Sequence, residues 1–269
     1  MSRAFNRVLR AAERGEYPKT LKFIWKRWYQ AISLISSERA FAFMNYGYLP
    51  PDPVPLAAED EPNRAFIGLY HQAVEGLPLA GARVLEVGSG RGGGAAYIAR
   101  TFAPAAVVGA DFSSTAVKRA RRFHADVPNL TYEVGDAEAL PFADASFDVV
   151  VNIESSHCYA DVPAFAREVA RVLKPGGTFT WADMRNPAML PALDTAFAVP
   201  RLEKVAETDL TAGVVAALDA TDGDKRARLA RYRWAGRVLQ EFAGVKGSVL
   251  HKGLRKRDVL YLARRYRKS

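Results

Sequence analysis

Glu86 stands two residues ahead of a glycine-rich run, Gly88-Ser89-Gly90-Arg91-Gly92-Gly93-Gly94. Glycines in such a run let the backbone turn sharply and approach a ligand that any Cβ would block. Val84, Leu85 and Val87 form a short apolar run of strand type, and residues 95–99 read as the start of a helix. A strand, a glycine turn and a helix N-terminus bring free N–H groups and a partial positive charge to one spot. Gly88-x-Gly90-x-x-Gly93 alone suits NAD, FAD or S-adenosylmethionine, or a bare turn. Glu86 discriminates among these. An anion there opposes a pyrophosphate and favours a ligand carrying a sulfonium and an amino group.

Further polar side chains follow at strand ends. Asp111 closes a second strand, 106–111, 23 residues beyond Gly88. An acidic group at this point accepts ribose hydroxyls, and Phe112 beside it suits packing on an adenine. A third strand, 130–134, runs into Gly135-Asp136-Ala137-Glu138, where Asp136 either accepts an adenine amino group or caps a turn. The fourth strand, 147–153, is nearly all apolar, as befits a strand buried on both faces. It leads into Glu154-Ser155-Ser156-His157-Cys158. His157 is the candidate general base, because a neutral imidazole is available near pH 7. Glu154 orients it or acts itself; a structural or merely exposed histidine is the alternative. His71, His124 and His251 stand apart from this constellation, and no clustered ligand spacing points to a metal ion.

The elements that must position these groups alternate. A helix over 163–173 ends at Lys174-Pro175-Gly176-Gly177, and a fifth strand, 178–181, leads to Asp183. Alternating strands and helices predict an α/β fold with a doubly wound, mostly parallel sheet. Ligands of such sheets sit at the carboxyl ends of the strands, where Glu86, Asp111, Asp136, Asn152 and His157 all fall. Residues 19–36 predict an amphipathic helix, with Leu21, Ile24, Trp28, Ile32 and Ile35 on one face. That helix is either part of a lid or a surface helix in peripheral contact with a membrane. An aromatic stretch, 41–48, precedes a proline-rich turn, and residues 57–77 resume a helical pattern. Residues 201–243 read as helical and polar, residues 259–266 as a closing strand, and no separate sixth strand is evident.

The chain of 269 residues carries a net charge of +9, unevenly placed. Residues 1–30 hold eight Lys or Arg against two acids, and residues 251–269 eight against one, so the body between is about −4. The basic ends fit an anionic membrane, an acidic substrate, nucleic acid or simple solvation. No nucleic-acid motif surrounds them, so no nucleic-acid partner is expected. One cysteine, Cys158, excludes an internal disulfide and suits a reducing, cytoplasmic setting. No apolar run of 18 residues is present to span a membrane.

Residues 84–94, Asp111, residues 135–142, Phe147-Asp148-Val149-Val150 and Leu173-Lys174-Pro175-Gly176-Gly177 resemble, in order and spacing, the motifs of class I S-adenosylmethionine-dependent methyltransferases. Phe43-Met44-Asn45-Tyr46-Gly47-Tyr48 and residues 152–159 resemble phthiotriolone-type and related natural-product O-methyltransferases. The resemblance implies a Rossmann-like fold with a helical N-terminal lid and a helical insertion before the C-terminal strands. It implies one domain over 1–269: a lid at 1–75, a cofactor-binding core at 76–185, a substrate-side insertion at 186–243, and a strand with a basic tail at 244–269. It implies S-adenosylmethionine as cofactor, with Gly88, Ser89 and Gly90 lining its methionine part and Glu86 near its amino group. Asp111 then takes the ribose, Asp136 and the Ala137 backbone the adenine, and Asn152 lies beside the methionine moiety. Tyr46 or Tyr48 caps the cofactor.

The expected reaction is methyl transfer to a hydroxyl of a hydrophobic small molecule, a polyketide, lipid or aromatic natural product. Displacement on a sulfonium asks the protein mainly to position the nucleophile, exclude water and take its proton. Cys158 is not needed as a nucleophile. Transfer to carbon or nitrogen, RNA methylation, and cofactor binding without catalysis are the other readings.

Overall fold

The computed structural model describes residues 42–230, 239–241 and 243–269. The helix read over 19–36, Phe41, Trp234 and Phe242 lie outside them. The strands are β1 (Arg83–Val87), β2 (Ala106–Asp111), β3 (Leu130–Val134), β4 (Phe147–Ile153), β5 (Leu173–Arg185), β6 (Leu202–Asp209) and β7 (Leu260–Lys268). The helices used below are α1 (Arg64–Val74), α2 (Gly93–Thr101), α3 (Ser114–Phe123), α4 (Val162–Val172), α5 (Leu190–Phe197), α6 (Thr211–Leu229) and α7 (Val249–Lys256).

The sheet runs β3-β2-β1-β4-β5-β7-β6. β1 to β5 are parallel, and β7 is antiparallel to both β5 and β6. Strand order reverses between β1 and β4, which opens a crevice at their carboxyl ends. Period-two alternation sends neighbouring residues to opposite faces. Val84, Val149 and Val151 pack with α1, α2, α3 and α6, while Leu85, Val87 and Val150 pack with α4 and α5. Both faces are covered, so β1 and β4 are apolar almost throughout. Side-chain caps fix two helix starts: Ser113 accepts from the Ala116 N–H ahead of α3, and Asp161 from the Ala164 N–H ahead of α4.

The structure corrects the C-terminal reading. Residues 202–209 are an edge strand within the segment expected to be helical. Leu202 is buried and the other seven residues of β6 are exposed, so no alternation marks it. β5 begins at Leu173, directly after α4, and runs to Arg185, well beyond the four residues expected. Part of the basic tail is interior: Arg264 is 2% exposed and pairs with Glu207 at 2.7 Å and Asp194 at 2.9 Å. Among the described residues no helix is long and apolar enough to cross a membrane.

Phe179 on β5 is fully buried against Phe165, Phe197 and Tyr266. Phe179→Ala should lower stability by about 3–5 kcal/mol in urea denaturation, through lost transfer energy and a residual cavity. Val205→Ala on the exposed edge should cost less than about 0.5 kcal/mol.

Candidate active site

A cavity opens at the carboxyl ends of β1, β2, β3 and β4. Gly88, Ser89, Gly90, Asp111, Phe112, Asp136, Ala137 and Glu154, all singled out from sequence, line it. Glu86, Asn152 and His157 do not line it; Glu86 bonds to the lining Tyr70, Asn152 to the lining Tyr159, and His157 is next in sequence to the lining Cys158. Tyr46 and Tyr48, expected to cap a cofactor, do not line it. The Tyr46 N–H donates to both oxygens of Glu154, and the Tyr48 N–H to the Ala65 carbonyl. These two residues dock the N-terminal segment onto the core, and Ala42, Met44 and Asn45 supply its share of the cavity wall.

Gly88 has a φ of +80°, and a Cβ there would fall 2.0 Å from Ser155 Oγ, so the loop can run here only without a side chain. Asp111 braces the turn beyond it. Its Oδ2 accepts from the Gly90 N–H and its Oδ1 from the Ser113 N–H, both at 2.8 Å. Burial raises its pKa against these two bonds. Across the cavity, Glu138 Oε1 accepts from the Ala160 N–H at 2.8 Å and ties the loop after β3 to the loop after β4.

Glu86 is fully buried, and Tyr70 of α1 donates its O–H to Oε1 at 2.7 Å. Tyr70 escaped the sequence reading. Its signal was Gly94, where a Cβ would strike the Tyr70 ring at 1.9 Å. Burial pushes the Glu86 carboxyl up to about 7, against the Tyr70 O–H and the Ala95 N–H. Its Oε2 lacks a hydrogen-bond partner of normal geometry, as do the buried Ser89 Oγ, Asn152 Oδ1 and Asn45 Oδ1. Buried oxygens are rarely left so. Four acceptor oxygens around one cavity suit a ligand that brings its own donors, and an ammonium, ribose hydroxyls and an adenine amino group are such donors.

Asn152 Nδ2 donates to the Val87 carbonyl and to the Tyr159 hydroxyl, each at 2.9 Å. Tyr159 also pairs with Ser155. It lines the cavity and was not foreseen as a site residue.

His157 sits on a 3-10 turn, Ser156–Cys158. Its Nδ1 meets Asp183 Oδ1 at 2.8 Å, and its backbone N–H donates to Oδ2 at 3.0 Å. Asp183 is fully buried and also takes the Ser156 hydroxyl at 2.7 Å and Arg185 at 3.0 Å. Trp181 and Arg185 donate to Ser156 Oγ in turn. Burial pushes Asp183 up, but Arg185 and His157 outweigh it and hold the carboxyl far below its usual range. Burial pushes the imidazole down, but Cys158 and Asp183 outweigh it and hold His157 well above the usual histidine value. Asp183, not Glu154, is therefore the carboxylate that orients His157. Glu154 has its oxygens on the Tyr46 N–H and the Tyr261 hydroxyl, and burial pushes its carboxyl up to about 7.

Lys225 of α6 was not singled out. Its Nζ is fully shielded and has no hydrogen-bond partner among the described residues; it lies 5.8 Å from the Phe66 ring centroid. Burial pushes its pKa down to about 8, against Glu154 and Asp222. A cation–π contact returns about 0.5–2 kcal/mol, whereas burying an ion costs several kcal/mol.

A family model described as a methyltransferase domain matches residues 85–181. Among solved structures, the [4+2]-cyclase SpnF shares the fold with a TM-score of 0.69 at 22% identity, over 92% of this chain and 95% of that one. The fatty-acid O-methyltransferase of Mycolicibacterium smegmatis is 44% identical over 179 residues, 66% of this chain and 65% of that one. The phthiotriol/phenolphthiotriol dimycocerosates methyltransferase of Mycobacterium tuberculosis (strain ATCC 25618 / H37Rv) is 38% identical over 265 residues, 96% of this chain and 97% of that one. With this last methyltransferase the chain belongs to the class I S-adenosylmethionine-dependent methyltransferases, and S-adenosylmethionine is its cofactor.

Proposed function

We propose that the chain transfers a methyl group to a hydroxyl of a hydrophobic small molecule, with His157 as the general base. The observation that carries this reading is the His157–Asp183 pair beside the cofactor cavity. When bound, S-adenosylmethionine supplies a methyl group already activated for displacement. Glu86, Ser89 and Asn152 accept from its amino acid end, Asp111 takes the ribose hydroxyls, and Asp136 with the Ala137 N–H meets the adenine. Ala42 and Met44 keep water from the glycine loop. His157 takes the proton of the acceptor hydroxyl on Nε2, while Asp183 fixes the ring through Nδ1 and stabilises the imidazolium.

Two further observations support a hydrophobic oxygen acceptor. Phe43 stacks on Phe66 at 6.2 Å and meets Tyr70 edge-on at 6.0 Å, giving one side of the cavity an aromatic backing. The relatives act, by name, on phthiotriol and phenolphthiotriol dimycocerosates and on fatty acids.

His157→Ala should lower kcat by about 10²–10⁴-fold while calorimetry shows cofactor affinity intact. A rate that survives the substitution would overturn the base assignment and point to a carbon or nitrogen acceptor. Only the neutral ring is a base, so activity should rise with pH through the raised His157 pKa. Asp183→Asn removes one cause of that elevation and should move the profile to lower pH as well as reduce kcat.

The Glu86 pKa of about 7 sets a second test. The ionised carboxylate binds an ammonium, so cofactor affinity should weaken as pH falls below about 7, approaching tenfold per pH unit at the limit. Calorimetry of Glu86→Gln should show weaker binding that has lost this step.

A further inference from the structure

Among the described residues, no lysine or arginine lines the cofactor cavity. The amino acid end of S-adenosylmethionine nevertheless carries a carboxylate, and an enclosed anion needs donors. The glycine run has few to offer. The Gly88 and Ser89 N–H groups both donate to the Ala110 carbonyl, Gly90 to Asp111, Gly92 to the Ser89 carbonyl and Gly93 to the Ala42 carbonyl. Tyr70, also in the wall, gives its hydroxyl proton to Glu86.

Side-chain hydroxyls remain. Ser89 Oγ lies toward β2, where a Cβ on Gly109 would come within 2.9 Å of it, and Ser113 Oγ caps α3 next to Asp111. Ser155 and Tyr159 follow β4 and stand against the glycine loop from its other side. A Cβ at Gly88 would fall 2.0 Å from Ser155 Oγ and 3.2 Å from the Tyr159 hydroxyl oxygen, and both residues line the cavity. Asn152 Nδ2 donates to that Tyr159 oxygen at 2.9 Å, and Tyr159 and Ser155 share a hydrogen bond. Burial raises the Tyr159 pKa, so its hydroxyl stays protonated. Two hydroxyls hold two protons, and the bond between them uses one. A phenol oxygen that already accepts from Asn152 is a poor second acceptor, so Tyr159 donates and Ser155 accepts. The Ser155 proton is then left for a ligand. Asn152 Oδ1, fully buried and without a partner, offers an acceptor on the same relay. An α-amino acid carries an ammonium and a carboxylate on one carbon, which matches an acceptor and a donor joined through Tyr159.

We propose that Ser155 donates its hydroxyl to the carboxylate of the cofactor's amino acid end, and that Tyr159 is a positioning residue that aims it. The inference rests on the cofactor placement given under the proposed function and deepens it. A neutral donor serves the anion without cancelling the negative wall that attracts the sulfonium.

The test is calorimetry on the full chain with S-adenosylhomocysteine and, separately, with decarboxylated S-adenosylhomocysteine, which keeps the ammonium and lacks only the carboxylate. The unsubstituted protein should prefer the complete molecule by about tenfold or more. Ser155→Ala should weaken S-adenosylhomocysteine by about 10- to 100-fold, the worth of one hydrogen bond to a charged group, and leave the decarboxylated analogue bound as before. Tyr159→Phe should erode the same preference by less, because Ser155 keeps its proton and loses only the group that aims it. Unchanged binding of the analogue separates lost recognition from misfolding. Absence of a preference in the unsubstituted protein, equal loss of both ligands in Ser155→Ala, or a preference that survives Ser155→Ala would each overturn the inference. A larger loss in Tyr159→Phe than in Ser155→Ala would overturn the division of roles. Methyl transfer to a hydroxyl alongside any of these would leave the proposed function standing. A Ser155-dependent preference in a protein that methylates no oxygen would overturn the proposed function instead.

Discussion

One buried carboxylate governs the design of this site. Glu86 ends β1 in a place closed to water, and the sheet supplies no cation to meet it. A carboxylate in that position keeps its charge only with help, and even against its hydrogen bonds burial holds it at about 7. The help comes from Tyr70, and the geometry of α1 follows from that need. The helix must lie close enough to α2 for the Tyr70 ring to pass over Gly94 and reach Glu86. Any side chain at Gly94 would push α1 away and take the Tyr70 donor from Glu86. The second carboxylate oxygen, Oε2, is left with no hydrogen-bond partner, a position that a donor such as an ammonium would fill.

The second fixed point is Asp183, reached from another strand. β5 runs beyond its expected end, and that extension carries Trp181, Asp183 and Arg185 into one buried cluster. Asp183 accepts from Ser156, from the His157 backbone and from the His157 ring, so the turn after β4 is held at three points by one residue. The orientation of the imidazole is set by β5, a central strand, rather than by the loop that carries the histidine. Glu154 is engaged differently. Its bonds to Tyr46 and Tyr261 fasten the N-terminal segment and β7 to the cavity rim. Two carboxylates near the histidine thus divide the work, one orienting its ring and the other fastening the rim.

Much of this was legible in the chain because it is local. β1, β2, β3 and β4 carry apolar runs that end in polar residues, and the glycine run can be read without its surroundings. Glu86, Asp111, Asp136 and the residues from Glu154 to His157 were found on that basis. What was missed depends on distant partners. β6 has seven exposed residues out of eight and is a strand only because β7 offers it hydrogen bonds. Asp183 lies 26 residues from His157, and nothing in its neighbourhood marks it as the orienting group. Tyr46 and Tyr48 were expected from the family resemblance to cap the cofactor, yet Ala42, Met44 and Asn45 line the cavity instead. Tyr70 and Lys225 look in sequence like ordinary members of amphipathic helices, and only their shielded polar atoms distinguish them.

The charges of the cavity also bear on the direction of the reaction. Its wall holds four carboxylates, and Glu86 stands behind it. A sulfonium carries a positive charge that this field favours, and the thioether left after transfer does not. The field by itself favours the charged cofactor over its neutral thioether product. Glu86 and Glu154 both have pKa values near 7, so the strength of the field changes over a narrow span of pH. Protonation of either weakens attraction for the cationic cofactor and eases repulsion of an anion.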